Sequence, residues 1–181
     1  MDNRLFTLPL ALIREHGTND PFRIAACRKN THVMEMDGKR QKGFCTRILN
    51  NDFIFINRNL SLPMQRMVCG HELAHLLLHR DRLGLDENGR PRRFVEWELF
   101  DIKDNTEYEA NLFLANLLIN TETLRDLVYG GRDIVSIASE LDVNVNLVAL
   151  KVSAEKFDGI TAPFTPGKNF LGRIGDYAGS F

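Results

Sequence analysis

The segment CGHELAHLLLH, residues 69–79, places three histidines and one glutamate in an otherwise apolar run. His71 and His75 are four residues apart, so on a helix their imidazoles lie one turn apart on the same face. This is the HExxH arrangement, in which both rings reach a single zinc ion. A bound ion would also compensate for burying two imidazoles among apolar neighbours, so the segment predicts a metal site.

Glu72 follows His71 directly, so its side chain is expected to point beside the ion rather than at it. There its carboxylate can take a proton from an attacking water and pass it to the leaving amine of a peptide bond. The pattern therefore predicts a hydrolase with Glu72 as the catalytic residue. The alternative is a chance HExxH on an unrelated helix with two hydrogen-bonded core histidines. The apolar surroundings of the motif favour the buried metal site.

A catalytic zinc takes three protein ligands and leaves one position open, so a third ligand is needed. His79 lies eight residues after His71. Three histidines along one straight helix span about 12 Å of rise, which is too far for one ion. We therefore interpret His79 as a helix-end residue that hydrogen-bonds the last carbonyls of the helix.

The later segment TEYEANLFLAN offers two glutamates as the third ligand. Glu107 shares a helical face with Ala110, whose small side chain would let two helices approach closely. Glu109 lies on a different face, where a solvent-exposed charge is the ordinary interpretation. We predict that Glu107 binds the metal and keep Glu109 as the alternative. Asn111, one turn after Glu107, is a candidate for orienting a ligand or is simply a polar residue of a good helix.

The whole chain has 181 residues, 44% hydrophobic and 26% charged, which is ordinary for one globular protein. A formal net charge of -1 provides no basic field for nucleic acid, and no apolar run approaches the ~20 residues of a membrane span. Cys27, Cys45 and Cys69 are odd in number and lack CxxC spacing, so we expect core thiols and a reducing, cytoplasmic setting.

Helix and strand signals predict an α+β fold. Two short helices come first, the second with Asp20 as its cap, and they are followed by a small three-stranded antiparallel sheet with a tight turn at NND. The HExxH helix is predicted at about 62–79, with Ser61 as its cap, and a second long helix at about 105–119. The charged segment between these two helices is interpreted as a surface connection or lid.

The same helix, strand and turn signals predict three regions of the chain. Residues 1–128 form a zincin-like metallopeptidase domain, residues 129–160 a helical subdomain similar to a helix-turn-helix, and residues 161–181 an irregular tail.

Three segments together resemble the ImmA/IrrE family of metallo-endopeptidases. They are HELAHLLLH, the strand FIFINRNL before it and EYEANLFLANLL after it. The resemblance implies zinc held by His71, His75 and Glu107, with Glu72 as the acid and base. It also implies a gluzincin-like fold and a protein substrate, a helix-turn-helix repressor of a mobile element or a stress response. This chain has Ala74 where the family commonly has glycine, and Asn120 where it commonly has proline. Neither difference involves a predicted ligand.

Two other functions compete with the peptidase. Residues 133–156 resemble a helix-turn-helix pair, which would suit a DNA-binding or protein-binding regulatory module with a structural zinc. Its second helix has only two lysines and no arginine, so we favour packing or substrate docking over DNA binding. A catalytically inactive binding protein is the other option, but a purely structural zinc site needs a fourth ligand and no general base.

Overall fold

The computed structural model describes residues 2–96 and 105–155. The predicted tail lies outside these residues, as does part of the predicted connection before residue 105. The helices are α1 Arg4–His16, α2 Pro21–Cys27, α3 Leu62–Leu78, α4 Asn105–Leu118, α5 Thr121–Tyr129, α6 Ile134–Glu140 and α7 Val145–Glu155. The strands are β1 Thr31–Met36, β2 Gly43–Ile48, β3 Asn51–Asn57 and β4 Arg93–Glu96.

The α+β class predicted from the sequence is confirmed. The described residues group into two compact units, residues 10–96 and residues 2–9 with 105–155. The first unit holds the sheet with α2 and α3, and the second holds α4 to α7. The three regions expected from the sequence remain a prediction.

The sheet differs from the predicted three-stranded antiparallel sheet in two respects. It has four strands in the order β1-β3-β2-β4, and β1 pairs with β3 in parallel. The hairpin between β2 and β3 forms close to the predicted turn NND at residues 50–52, but its two-residue loop is Leu49–Asn50, with Ile48 opposite Asn51. The fourth strand, β4, comes from the segment interpreted as a surface connection and pairs antiparallel with β2.

A connection across the end of β3 explains the mixed pairing. Residues 37–42 lead from β1 to β2, and Asn57 at the end of β3 donates hydrogen bonds to the carbonyls of Gly38 and Gln41, at 2.8 and 2.9 Å. The backbone N–H of Asn57 also donates to the carbonyl of Lys42, at 2.9 Å. These bonds hold the connection over β3, so β1 and β2 lie on opposite sides of that strand instead of forming a hairpin.

Helix α3 packs against β2, β3 and α2 and is buried almost all round. Ser61 occupies the predicted N-cap position, although its side chain makes no capping hydrogen bond, and Pro63 lies in the first turn. The close approach of β2 to α3 requires a glycine. A Cβ at Gly43 would lie 2.4 Å from the Val68 side chain and 2.8 Å from the Phe55 carbonyl oxygen, which are both prohibitive distances.

In the other unit, α4 packs against α7, and α6 also packs against α7. The buried Lys151 of α7 donates from Nζ to the Ile119 carbonyl just after α4, at 2.5 Å. Asn116 of α4 donates to the Leu5 carbonyl of α1, at 3.0 Å. These contacts fix both the C-terminal end of α4 and the residues just after it, so the orientation of this helix is well determined within its unit.

Candidate metal centre

The middle of α3 carries the HExxH residues in a fully packed environment. His71 and His75 are each 1% exposed and Glu72 is 0% exposed. Apolar neighbours along the helix, among them Val68, Leu73 and Leu76, are buried as well. Because burying polar and ionisable groups is costly unless they are bound to something, this helix is built around an interaction that uses these side chains.

The two imidazoles of the motif meet edge to face. Their ring centroids are 4.7 Å apart at 79°, and Nε2 of His75 lies 3.0 Å from Nε2 of His71. The spacing of four residues therefore brings the same nitrogen of each ring to one point, as expected for a helix.

Glu107, in the first turn of α4, supplies an oxygen to the same cluster. One nitrogen from each histidine and one carboxylate oxygen of Glu107 all lie within 4.8 Å of one another. Glu109 is not a member of this group. Asn111, the candidate for orienting a ligand, is buried on the same helix.

The donor atoms suit a metal ion. Two nitrogens that each bind zinc at ~2.0–2.1 Å in a tetrahedral shell lie ~3.3 Å apart, close to the 3.0 Å between the two Nε2 atoms. Two neutral imidazoles and a carboxylate form a common ligand set of catalytic zinc sites. The cluster could therefore hold one metal ion.

Strand β2 forms the surroundings of Glu72. Burial, followed by the charge of the nearby Glu72, raises the pKa of the Cys45 thiol well above its usual value. Cys45 is therefore protonated at neutral pH and lies near the Glu72 carboxylate as a neutral thiol. A Cβ built on Gly43 would lie 3.6 Å from Glu72 Oε1, an ordinary van der Waals distance, so this part of β2 lies directly beside the carboxylate.

Phe94 of β4 and His79 at the end of α3 complete the surroundings of His75. The Phe94 ring stacks on the His75 ring with centroids 4.2 Å apart at 8°. His79 is the C-cap residue of α3 as predicted, and its backbone N–H donates to the His75 carbonyl. Its side chain is 5% exposed, and its Nδ1 lies 3.0 Å from Nδ1 of His75, a contact that the sequence interpretation did not include.

Cys45, Phe94 and the His75–His79 contact were not predicted from the sequence, for two different reasons. Cys45 and Phe94 are opposite each other in the β2–β4 pairing, and β4 itself was not predicted. For His79, a signal was present, because it lies four residues after His75 and therefore on the same helical face. The prediction for His79 rested on its distance from the metal and on its position at the helix end, not on this spacing.

The comparison with known proteins identifies the family. A family model described as the IrrE N-terminal-like domain, of the peptidase M78 type, matches residues 26–153. The chain belongs to the ImmA/IrrE metallopeptidase family. This confirms the resemblance based on HELAHLLLH and EYEANLFLANLL.

Two relatives show the extent of the similarity to ImmA/IrrE proteins. Metallopeptidase ImmA of Bacillus subtilis (strain 168) is 27% identical over 116 residues, which are 64% of this chain and 63% of that protein. Uncharacterized immunity region protein 2 of Bacillus phage phi105 is 31% identical over 109 residues, 60% of this chain and 63% of that protein. The match thus spans less than two thirds of either relative.

Among the described residues, no helix is both long and apolar enough to cross a membrane.

Proposed function

We propose that this chain is a zinc-dependent endopeptidase that cleaves a protein substrate, a helix-turn-helix transcriptional repressor. The observation that carries the proposal is the convergence of His71, His75 and Glu107 within 4.8 Å beside the buried Glu72. Its nitrogen and oxygen donors are those of catalytic zinc sites, and the family is one of metallopeptidases. We assign His71, His75 and Glu107 as ligands, with Glu107 preferred to Glu109.

The proposed mechanism divides the work between the ligands and Glu72. When bound, zinc supplies a Lewis acid that polarises the scissile carbonyl and makes water more acidic. His71, His75 and Glu107 would hold the ion through two imidazole nitrogens and one carboxylate oxygen. Glu72 accepts the proton of the attacking water at its carboxylate and then donates it to the nitrogen of the leaving amine.

Glu72 is fully buried, so packing orients its carboxylate before substrate binds. A carboxylate held by packing needs little reorganisation when the water arrives, which favours proton transfer. The buried environment also strengthens the electrostatic interaction between Glu72 and the group that it deprotonates.

The substrate assignment is supported by the resemblance to ImmA/IrrE proteins and by one relative's name. That relative is an immunity region protein of a Bacillus phage. The resemblance implies that a repressor of this kind is inactivated by cleavage. A soluble protein substrate and a cytoplasmic location are part of this proposal.

The burial of α7 argues against the DNA-binding alternative. A recognition helix needs one face free to enter the major groove. In α7, all residues from Asn146 to Val152 are buried, and the helix packs against α4 and α6. Packing is therefore a sufficient explanation for the helix-turn-helix pattern.

Cleavage of a candidate repressor by wild type and by Glu72→Gln tests the proposal. The repressor encoded beside this gene is incubated with each zinc-loaded protein, and its fragments are measured by intact mass spectrometry. We expect one cleavage by wild type and a rate lower by on the order of 10² or more for Glu72→Gln, since the amide cannot transfer the proton. Zinc content and repressor binding should persist in the variant.

Glu122→Gln is the matched control, because it makes the same chemical change at an exposed residue in the first turn of α5. This variant should cleave at the wild-type rate. A zinc-loaded Glu72→Gln that also cleaves at that rate would disprove the role of Glu72. A zinc-loaded wild type that leaves the repressor intact would contradict the substrate assignment.

A further inference from the structure

Three imidazoles form a continuous chain of contacts at the end of α3. Nε2 of His71 lies 3.0 Å from Nε2 of His75, and Nδ1 of His75 lies 3.0 Å from Nδ1 of His79. All three side chains are at most 5% exposed. His75 therefore contacts His71 through Nε2 and His79 through Nδ1, so its two neighbours lie on different sides of the ring.

The tautomer of His75 follows from this arrangement if its Nε2 is a metal ligand. A neutral imidazole has one N–H, so binding through Nε2 places the proton on Nδ1. The proton donor in the contact of 3.0 Å is then His75, and Nδ1 of His79 is the acceptor. His79 must in turn carry its own proton on Nε2.

We propose that His79 is a positioning residue that fixes the tautomer and the ring orientation of His75, and thereby raises the metal affinity of the site. This inference rests on the proposed function, because it requires that His75 bind the metal through Nε2. Partners of this kind make the ligating nitrogen more basic and hold the ring in the direction needed for binding. The spacing of four residues between His71 and His75 does not by itself fix the tautomer or the ring orientation of His75.

Phe94 supports the same restraint from the sheet. Its ring lies parallel to the His75 ring, with centroids 4.2 Å apart, and its centroid is 5.8 Å from that of His79. An apolar ring in this position limits rotation of His75 about its side-chain bonds. It also keeps water away from the His75–His79 hydrogen bond, which is stronger in a low-dielectric environment.

Zinc affinity of the apoprotein, measured by competition with a chromophoric chelator, tests the proposal without relying on activity. We expect His79→Ala to bind zinc about 10- to 100-fold more weakly than wild type, the usual effect of removing such a partner. His79→Asn should recover most of the affinity, since its amide oxygen can accept the hydrogen bond near the position of Nδ1. His32→Ala is the control, because His32 is an exposed histidine stacked on Phe53 in the sheet.

The tautomers can also be measured in wild type, which avoids any variant that fails to fold. In two-bond proton–nitrogen NMR spectra of the zinc-loaded protein, we expect a proton on Nδ1 of His75 and on Nε2 of His79. A proton on Nδ1 of His79, or wild-type zinc affinity in a folded His79→Ala, would overturn the inference. If His71→Ala still loses zinc in that case, the proposed metal site stands while the role of His79 is rejected.

Discussion

Glu107 and Glu109 provide the sharpest test at the scale of single residues. They are two positions apart on α4, about 200° around the helix, so they cannot serve the same site. We expect Glu107→Ala to lose zinc because only two protein ligands remain, and Glu109→Ala to retain about one zinc per chain. Metal analysis of the purified variants after dialysis measures this. Loss of zinc by Glu109→Ala with retention by Glu107→Ala would reverse the assignment.

The same residues show what a sequence can reveal about a site. His71, Glu72 and His75 lie on one helix, so their relative positions follow from helical periodicity alone. Glu107 was chosen by the face that it shares with Ala110. Phe94 and Cys45 became neighbours of the site through strand pairing, which depends on contacts between distant parts of the chain. No local pattern carries that information.

At the scale of elements, the packing of β2 on α3 depends on Gly43. A Cβ at this position would lie 2.4 Å from Val68 Cγ1 and 2.8 Å from the Phe55 carbonyl oxygen, so Gly43→Ala forces the strand away from the helix. We expect a loss of about 1–3 kcal/mol in the free energy of unfolding, measured by urea denaturation. Cleavage should also fall, since Glu72 lies beside the same glycine.

A double variant tests whether the loss of stability comes from the clash with Val68 or from any substitution at this position of β2. Val68→Ala removes the nearest clashing atom, so Gly43→Ala with Val68→Ala should cost less than the sum of the two single variants. Additive losses would show that the contact with Val68 is not the cause.

Lys151 in α7 gives the C-terminal helices a pH dependence. Burial lowers the pKa of Lys151 to about 8, from the usual 10.5, and the nearby Glu155 only partly opposes this change. Below pH 8 the folded state must hold a buried ammonium group, and this cost disappears as pH rises from 8 toward 10.5. The unfolded state binds more protons in that range, so the Lys151 contribution to stability improves with pH.

Urea denaturation of wild type and Lys151→Met at pH 7.5 and pH 9.5 measures this contribution. We compare the unfolding free energy of wild type with that of Lys151→Met at each pH. Relative to the variant, wild type should be more stable at pH 9.5 than at pH 7.5, by on the order of 1–2 kcal/mol. Lys29→Met is the control at an exposed lysine and should show no such shift. An unchanged difference for Lys151→Met would contradict a lowered pKa.

Element boundaries were predicted best where capping and periodicity agree. The HExxH helix was predicted at 62–79 and is observed as Leu62–Leu78, and the next long helix, predicted at 105–119, is Asn105–Leu118. Asp20 caps α2 as expected and accepts a hydrogen bond from the Phe22 N–H. The order of the strands was not predictable, because the turn residues of the connection 37–42 do not reveal that Asn57 holds this connection across the end of β3.

At the scale of the whole molecule, we propose that this ImmA/IrrE protein holds a zinc ion at His71, His75 and Glu107. Anomalous diffraction at the zinc absorption edge, from crystals of protein loaded with one equivalent of zinc, tests it most directly. We expect one strong peak at ~2.0–2.2 Å from a nitrogen of each histidine and from a Glu107 oxygen. No peak at these residues, or a peak bound by Glu109 instead of Glu107, would contradict the claim.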